Sequence, residues 1–359
     1  MRIAILGATG LVGRELLALI PRAWPGASLF LYASRDQELA VDGRRHEVGA
    51  AARLDGAEAV RGDLAFVALD DAHSARYVPR LLELGYRVID KSNTYRQDPA
   101  VPLVVAGVND AAVDASVSLV ANPNCTTIPL MLALAPLARR YGVDDLVVAT
   151  YQAISGAGIG PLDDFLAASQ AGYARADRLG LAFDPGAYAG NTVPHAGGTD
   201  ASGLSAEERK LMVESRKILG DAAPPIAAQC CRVPVAVGHY ENVWLTLGTG
   251  ARGLDAAAIE ALLADRAAAP FVRLFPGPSG AGLSARTCVP HRDDALVGRL
   301  RPDPRGDDGR RWCLTVAADN LRLGAATNAV RIASRWFHAE DPALRGPGLD
   351  TRSLAGRSA

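Results

Sequence analysis

The chain opens on an uninterrupted apolar run, Ile3 to Leu6, which predicts a strand buried on both faces, as in a parallel sheet. Gly7-Ala8-Thr9-Gly10-Leu11-Val12-Gly13 breaks the run, a helical pattern follows from Arg14 to Ile20, and Pro21 stops that pattern. Residues 28–33 form a second apolar run. Further strands are predicted at Leu64–Leu69, Arg87–Asp90, Leu103–Ala106 and Ser118–Ala121, the last leading through a polar turn into an apolar helix, Ile128 to Leu137. The pattern then changes. Asp145–Tyr151 reads as a strand, residues 160–205 as irregular, and Ser205–Leu219 as an amphipathic helix with a serine N-cap and acids in its first turn. Strand-like runs follow at Ile226–Val237, Val243–Thr249, Ala295–Arg299 and Trp312–Ala317. A long helix from Asn320 to Trp336 returns to the first half, and residues 340–359 read as a loose tail.

Strand, glycine turn, helix, strand is the dinucleotide-binding unit, in which glycines permit a tight turn and bring pyrophosphate against a helix N-terminus. Gly7, Thr9, Gly10, Leu11, Val12 and Gly13 are therefore candidate cofactor-binding residues. The second strand ends in Ser34-Arg35, a hydroxyl and a guanidinium suited to a 2′-phosphate, which favours NADP; Asp36 follows at once. The fold expected is an α/β Rossmann-type dinucleotide-binding domain plus an α+β domain with a mainly antiparallel sheet. Residues 1–127, with the returning helix at about 320–338, form the first, and 128–319 the second.

Composition narrows the classes. In 359 residues a formal net charge of −1 leaves no electrostatic footprint for nucleic acid or an anionic membrane. No apolar run is long enough to span a bilayer, and the N-terminal run is too short for a signal peptide. Cys125, Cys230, Cys231, Cys288 and Cys313 are odd in number and follow no disulfide or metal-ligand spacing, so a reduced cytoplasmic protein without structural metal is expected. Only Lys91, Lys210 and Lys217 are lysines among 38 basic residues. Where most cations are arginine, a lysine can mark a need for a compact, rotatable ammonium, or simply remain on a solvated face.

Cys125 is the leading candidate for chemistry. It sits in Asn122-Pro123-Asn124-Cys125-Thr126-Thr127, ahead of the apolar helix, where free N–H groups and the helix dipole favour a thiolate. Successive parallel strands deliver this thiol and the cofactor to the same carboxyl edge of one sheet.

Several further motifs carry a resemblance. Asn122 to Thr127, Thr150-Tyr151-Gln152-Ala153-Ile154-Ser155-Gly156-Ala157-Gly158 and Arg232-Val233-Pro234-Val235-Ala236-Val237-Gly238-His239 together resemble the aspartate-β-semialdehyde dehydrogenase family. Asp90 to Arg96 and Asp319 to Val330 fit the same family, and the likeness runs from residue 1 to about 338. N-acetyl-γ-glutamyl-phosphate reductase, a related family, would read Asn-Pro-Gly-Cys-Tyr at the cysteine, so Asn124 and Thr126 argue against it.

The resemblance implies NADP-dependent reductive dephosphorylation of L-aspartyl 4-phosphate through a thioester on Cys125, feeding lysine, methionine and threonine synthesis. It implies that His239 is the general acid/base, that Gln152 orients the acyl group, and that Asn124 with nearby N–H groups stabilises the oxyanion. Arg232 would grip a carboxylate. Glu207 and Lys210, three apart on one helix, would meet the substrate's amino group and phosphate, and Arg96 with Asn93 would complete the phosphate site. Ser155, Gly156 and Asn320 would border the cofactor. The second domain would be catalytic and would pair subunits into a homodimer or homotetramer, with the small acyl phosphate or aldehyde and inorganic phosphate as partners.

The chain also departs from the family pattern. Asp70-Asp71 stand where a glycine-rich stretch is usual, Tyr240 replaces a small residue after His239, and Ala196-Gly197-Gly198 follow Asn191-Thr192-Val193-Pro194-His195 in place of a bulkier, acidic continuation. Two alternatives follow: a paralogue reducing another acyl phosphate or an acyl-CoA, such as one of specialised metabolism, and a catalytically silent NADP-binding protein. Retention of Cys125, Gln152, Arg232 and His239 together favours an enzyme.

Overall fold

The N-terminal apolar runs pair with one another as parallel strands. In the computed structural model, which describes residues 1–57, 59–170, 188–194, 198–306 and 308–337, one sheet is built from β1 (Arg2–Leu6), β2 (Ser28–Ala33), β3 (Gln37–Val41), β4 (Arg44–Ala50), β5 (Leu64–Val67), β6 (Arg87–Asp90) and β7 (Leu119–Ala121). Its order is β3-β4-β2-β1-β5-β6-β7, parallel except for the β3–β4 hairpin. Helices α1 (Leu11–Ala23) and α2 (Asp71–Glu83) are the crossovers after β1 and β5. Pro21 does not stop α1, which runs on to Ala23 and closes with Trp24 N–H on the Ile20 carbonyl. A proline in the last turn removes one hydrogen bond of a helix that is already ending. The tail at 340–359 and the segment from His195 to Gly197 lie outside the described residues.

The strand expected at Leu103–Ala106 is absent beyond one isolated parallel bridge, Leu103 to Ala121. Its backbone groups find side chains in place of a ladder. Asn109 takes Val105 N–H and donates to the Leu103 carbonyl, while Asn328 takes Ala106 N–H and donates to that of Val104. With those groups satisfied, the segment has no need of a strand neighbour.

The second sheet holds β8 (Val143–Gln152), β9 (Val193–Pro194), β10 (Ile226–Arg232), β11 (His239–Leu247), β12 (Val272–Phe275), β13 (Ala295–Pro302) and β14 (Arg311–Ala318), in the order β12-β13-β14-β11-β8-β10-β9. Four of its pairings are antiparallel; β8–β10 and β12–β13 are parallel. Helices α3 (Thr127–Tyr141), α4 (Ile159–Gln170), α5 (Ala206–Leu219) and α6 (Ala256–Ala264) accompany this sheet, and α3 is buried along nearly its whole length. Because side chains alternate across a strand, β11 buries His239, Glu241, Val243 and Leu245 while Tyr240 points to the other face.

The returning segment is not one helix. Arg322–Thr327 forms a wide π-type turn, and α7 (Asn328–Phe337) follows. Val330, Ile332, Ala333 and Trp336 join Ile3, Ile5, Leu16 and Ile20 in one hydrophobic core. Glu15 on α1 pairs with both Arg292 and Arg322, which also hold Asp319 and Asp293 respectively.

Candidate active site

The carboxyl edges of β1, β5 and β6 and the start of α3 meet the π-type turn and α5 around a cleft of about 300 Å³, with Cys125 in its wall. Gly324 on the turn packs directly on the thiol residue: a Cβ there would lie 3.0 Å from Cys125 Cβ and 3.1 Å from its carbonyl oxygen. The wide turn brings its backbone this close, and any larger residue would have to push the Cys125 backbone away.

Cys125 Sγ lies 3.1 Å from His239 Nε2 and 3.7 Å from Asn124 Oδ1. Ala153 N–H donates to His239 Nδ1 at 3.0 Å, so Nδ1 is an acceptor and the neutral ring carries its proton at Nε2, facing the sulfur. The thiol proton is then directed at Asn124 Oδ1. The expected thiolate is not the form this arrangement favours. Burial pushes the Cys125 thiol up to about 11, the Glu207 carboxylate adds to the rise, and Arg232, Arg96 and Lys91 oppose it. Thr126 is the N-cap of α3, so the thiol stands one residue ahead of the cap. Alkylation of Cys125 by iodoacetamide, followed by peptide mass, is expected to keep accelerating up to about pH 10, and a plateau below about pH 8 would contradict this environment.

Gln152, Arg232 and His239 lie on the buried face at the ends of three adjacent strands, with Arg232 opposite Gln152 in register. Gln152 Nε2 donates to Thr150 Oγ1 at 3.2 Å, and Arg232 Nη1 to the Ala153 carbonyl at 2.6 Å. Gly156 covers them: a Cβ on it would come within 2.8 Å of Arg232 Nη1 and 3.3 Å of His239 Cε1. One step behind stands Glu241, fully buried, with neither carboxylate oxygen hydrogen-bonded among the described residues; burial alone pushes it well above the usual carboxylate range.

The polar face of α5 points inward. Ser205 and Glu208 close a capping box at its start. Glu207, only 8 % exposed, accepts from Asn124 Nδ2 at 2.9 Å and from Lys210 Nζ at 2.7 Å. Glu214, two turns further along the same face, accepts from Asn124 N–H at 2.7 Å and from Arg96 Nη1 at 2.9 Å. Lys217 donates to the carbonyls of Arg96, Asp98 and Val101. One helix thus fastens both the loop 91–101 and the loop carrying Cys125. Glu214 and Lys217 had no motif to reveal them; their spacing of seven and ten from Glu207 was the available signal.

Asn93 lies between Asp71, which takes its N–H and Nδ2, and Arg96, which donates to its Oδ1. Asp70 caps α2 and holds His73. The two acids therefore brace the loop and the helix start. Tyr240 stacks edge-on against Tyr151 with ring centroids 6.2 Å apart, on the sheet face opposite His239. Asn320 joins Ser155 Oγ through its Nδ2 and Gly238 N–H through its Oδ1, so it braces the wall beside Cys125.

The glycine loop fits a dinucleotide. Gly7 has φ 79°, and a Cβ on it would lie 2.3 Å from the Ala68 carbonyl oxygen; one on Gly13 would lie 2.2 Å from that of Gly7. Gly10 leaves the start of α1 without a side-chain cap, and the first turn carries no acid, so its N–H groups suit a pyrophosphate. Asp36 is engaged elsewhere, accepting from Ala50 N–H at 2.6 Å and Arg53 Nη2 at 2.7 Å. Among the described residues, no group of three or more His, Cys, Asp and Glu is placed to hold a metal ion.

Comparison with known proteins agrees with this geometry. The domain family described as semialdehyde dehydrogenase, NAD binding domain, matches residues 2–116, and semialdehyde dehydrogenase, dimerisation domain, matches residues 134–323. An aspartate-semialdehyde dehydrogenase of Aquifex aeolicus is 35 % identical, with 92 % of this chain and 96 % of that one aligned. One of Streptomyces akiyoshiensis is 38 % identical over 93 % and 97 %. The crystal structure of aspartate semialdehyde dehydrogenase II from Vibrio cholerae complexed with ASA superposes with a TM-score of 0.83 at 30 % identity, covering 94 % of this chain and 98 % of that one.

Proposed function

The chain belongs to the aspartate-semialdehyde dehydrogenase family, and from that premise we propose how its own residues carry out the family's reaction. The enzyme is an NADP-dependent oxidoreductase of amino-acid biosynthesis that converts L-aspartyl 4-phosphate to L-aspartate 4-semialdehyde, inorganic phosphate leaving. Cys125 Sγ attacks the acyl carbon; the C–S bond forms, the C–O bond to phosphate breaks, the thiol proton leaves on the departing phosphate, and a thioester remains. NADPH, when bound, supplies the hydride that reduces this thioester. Collapse of the resulting alkoxide breaks the C–S bond and returns the electron pair to sulfur, releasing the aldehyde. His239 acts at that sulfur as a donor, its Nε2–H stabilising the thiolate as it forms and as it leaves.

Gly7, Thr9, Gly10, Leu11, Val12 and Gly13 hold the pyrophosphate, Ser34-Arg35 the 2′-phosphate, and Ser155, Gly156 and Asn320 border the reactive end. Gln152 orients the acyl group behind Gly156, and Arg232 receives the substrate carboxylate. Glu207 meets the amino group, and Lys210, Arg96 and Asn93 form the phosphate side. Asn124 keeps one amide hydrogen available beyond its bond to Glu207 for the developing oxyanion. Subunits pair through the outer face of the second sheet, where Val147 and Tyr151 are 40 % and 36 % exposed and Tyr240 packs alongside. Tyr240 thus belongs to that face and leaves the acyl site unchanged. Homodimers, two of which can form a tetramer, acting in the cytoplasm complete the reading; no helix among the described residues is long and apolar enough to cross a membrane.

The contact of Cys125 Sγ with His239 Nε2, at a cleft lined by Val12 at the start of α1 and by Glu207 and Lys210, carries this reading. Aspartate semialdehyde, inorganic phosphate and NADP⁺ supplied together are expected to give rising NADPH absorbance. Silence with this aldehyde and turnover of another would overturn the substrate assignment.

A further inference from the structure

Three cations line the cleft, and two of them already hold carboxylates. Arg96 pairs with Glu214 and directs its other donors to the Asn122 carbonyl, Asn93 Oδ1 and the Lys91 carbonyl, so four of its five N–H groups serve the protein. Lys210 pairs with Glu207 at 2.7 Å. The third is Lys91, the residue immediately after β6. Its Nζ makes no hydrogen bond or salt bridge among the described residues. The neighbouring Asp90 makes no salt bridge to it: Asp90 Oδ2 accepts from Ser92 Oγ at 2.6 Å.

We propose that Lys91 is a further cation of the phosphate side, receiving the phosphoryl group of the acyl phosphate, and inorganic phosphate in the reverse direction, together with Lys210, Asn93 and the one N–H of Arg96 that the protein leaves over. The proposal rests on the acyl-phosphate reading above and adds a residue to it. A half-buried ammonium with no salt bridge among the described residues has the most to gain from an incoming dianion, and its compact, rotatable charge suits a phosphate that must arrive and leave. Burial and the adjacent Arg96 push Lys91 down, while Cys125 and Asp90 act the other way, as befits a cation crowded by others beside the thiol. The remaining lysine, Lys217, is occupied by three carbonyls, so the scarcity of lysine in this chain resolves into one structural brace, one ion pair and one ammonium left for a ligand.

The test uses full-length protein in the aldehyde-oxidising direction. Lys91→Gln is expected to raise KM for inorganic phosphate about tenfold or more, with KM for NADP⁺ changed less than about twofold, and Lys91→Arg to recover part of the loss. An unchanged phosphate KM, or a rise that falls on NADP⁺, would overturn the proposal. A second measurement does not depend on turnover. Inorganic phosphate is expected to slow iodoacetamide alkylation of Cys125 in the wild type and not in Lys91→Gln, with thermal melts confirming that both are folded. Equal protection in the two proteins would sink the role of Lys91. Lys91-dependent protection in a protein silent toward aspartate semialdehyde would instead count against the substrate and leave Lys91 as the anion site.

Discussion

Cys125→Ser is expected to lower turnover on the order of 10⁴-fold or more while leaving NADP affinity unchanged. A hydroxyl in this position is a far weaker nucleophile than a thiol, and its nearest partner, His239, offers it a donor and not a base, because Ala153 N–H occupies Nδ1. The glycine loop that fits the cofactor and the thiol stand on separate elements, so cofactor titration followed by fluorescence should be indifferent to the change. A serine variant within about tenfold of wild-type kcat would refute the covalent route.

The second large effect is on stability. Glu214 is 1 % exposed and holds both Arg96 and the N–H of Asn124. Glu214→Ala leaves a buried guanidinium without its counter-charge and a buried N–H without an acceptor, a loss of about 3–5 kcal/mol. Urea unfolding is the measurement, with a lowered midpoint and an unchanged slope expected. Glu214→Gln keeps the shape and an acceptor, so it should lose less. A loss below about 1 kcal/mol in the alanine variant would show that Arg96 is held by its other partners.

How much was legible in the sequence follows the range of the interaction. The first strand, the glycine turn and the helix before Pro21 are local patterns, and all three form. The helix after Cys125 and the capped helix at 206–219 were readable for the same reason. The segment 103–106 looked like a strand because its apolar residues are real core residues; Asn109 and Asn328, the latter more than 200 residues away, settle its backbone otherwise. Glu214 meets its partners across 90 and 118 residues, and Gly324 approaches Cys125 from more than half the length of the chain away. No spacing rule reaches that far. The motifs did locate Cys125 and His239, whose side chains meet, but they were silent on the tautomer, which is set by the backbone of Ala153. Asp70, Asp71 and Tyr240 read as threats to the site because sequence gives no direction to a side chain; the first two turn out to be braces and the third faces away.

The packing of Val330, Ile332, Ala333 and Trp336 against the strands and helix of the first 20 residues has a consequence for biosynthesis. Emerging from the ribosome, the nucleotide-binding sheet must wait for roughly the last tenth of the chain before one side of its core is covered and Glu15 meets Arg322. The half of the molecule translated first is the half completed last. Premature termination late in the message would therefore strip the cofactor site of its support while leaving every residue that touches the cofactor's phosphates in place.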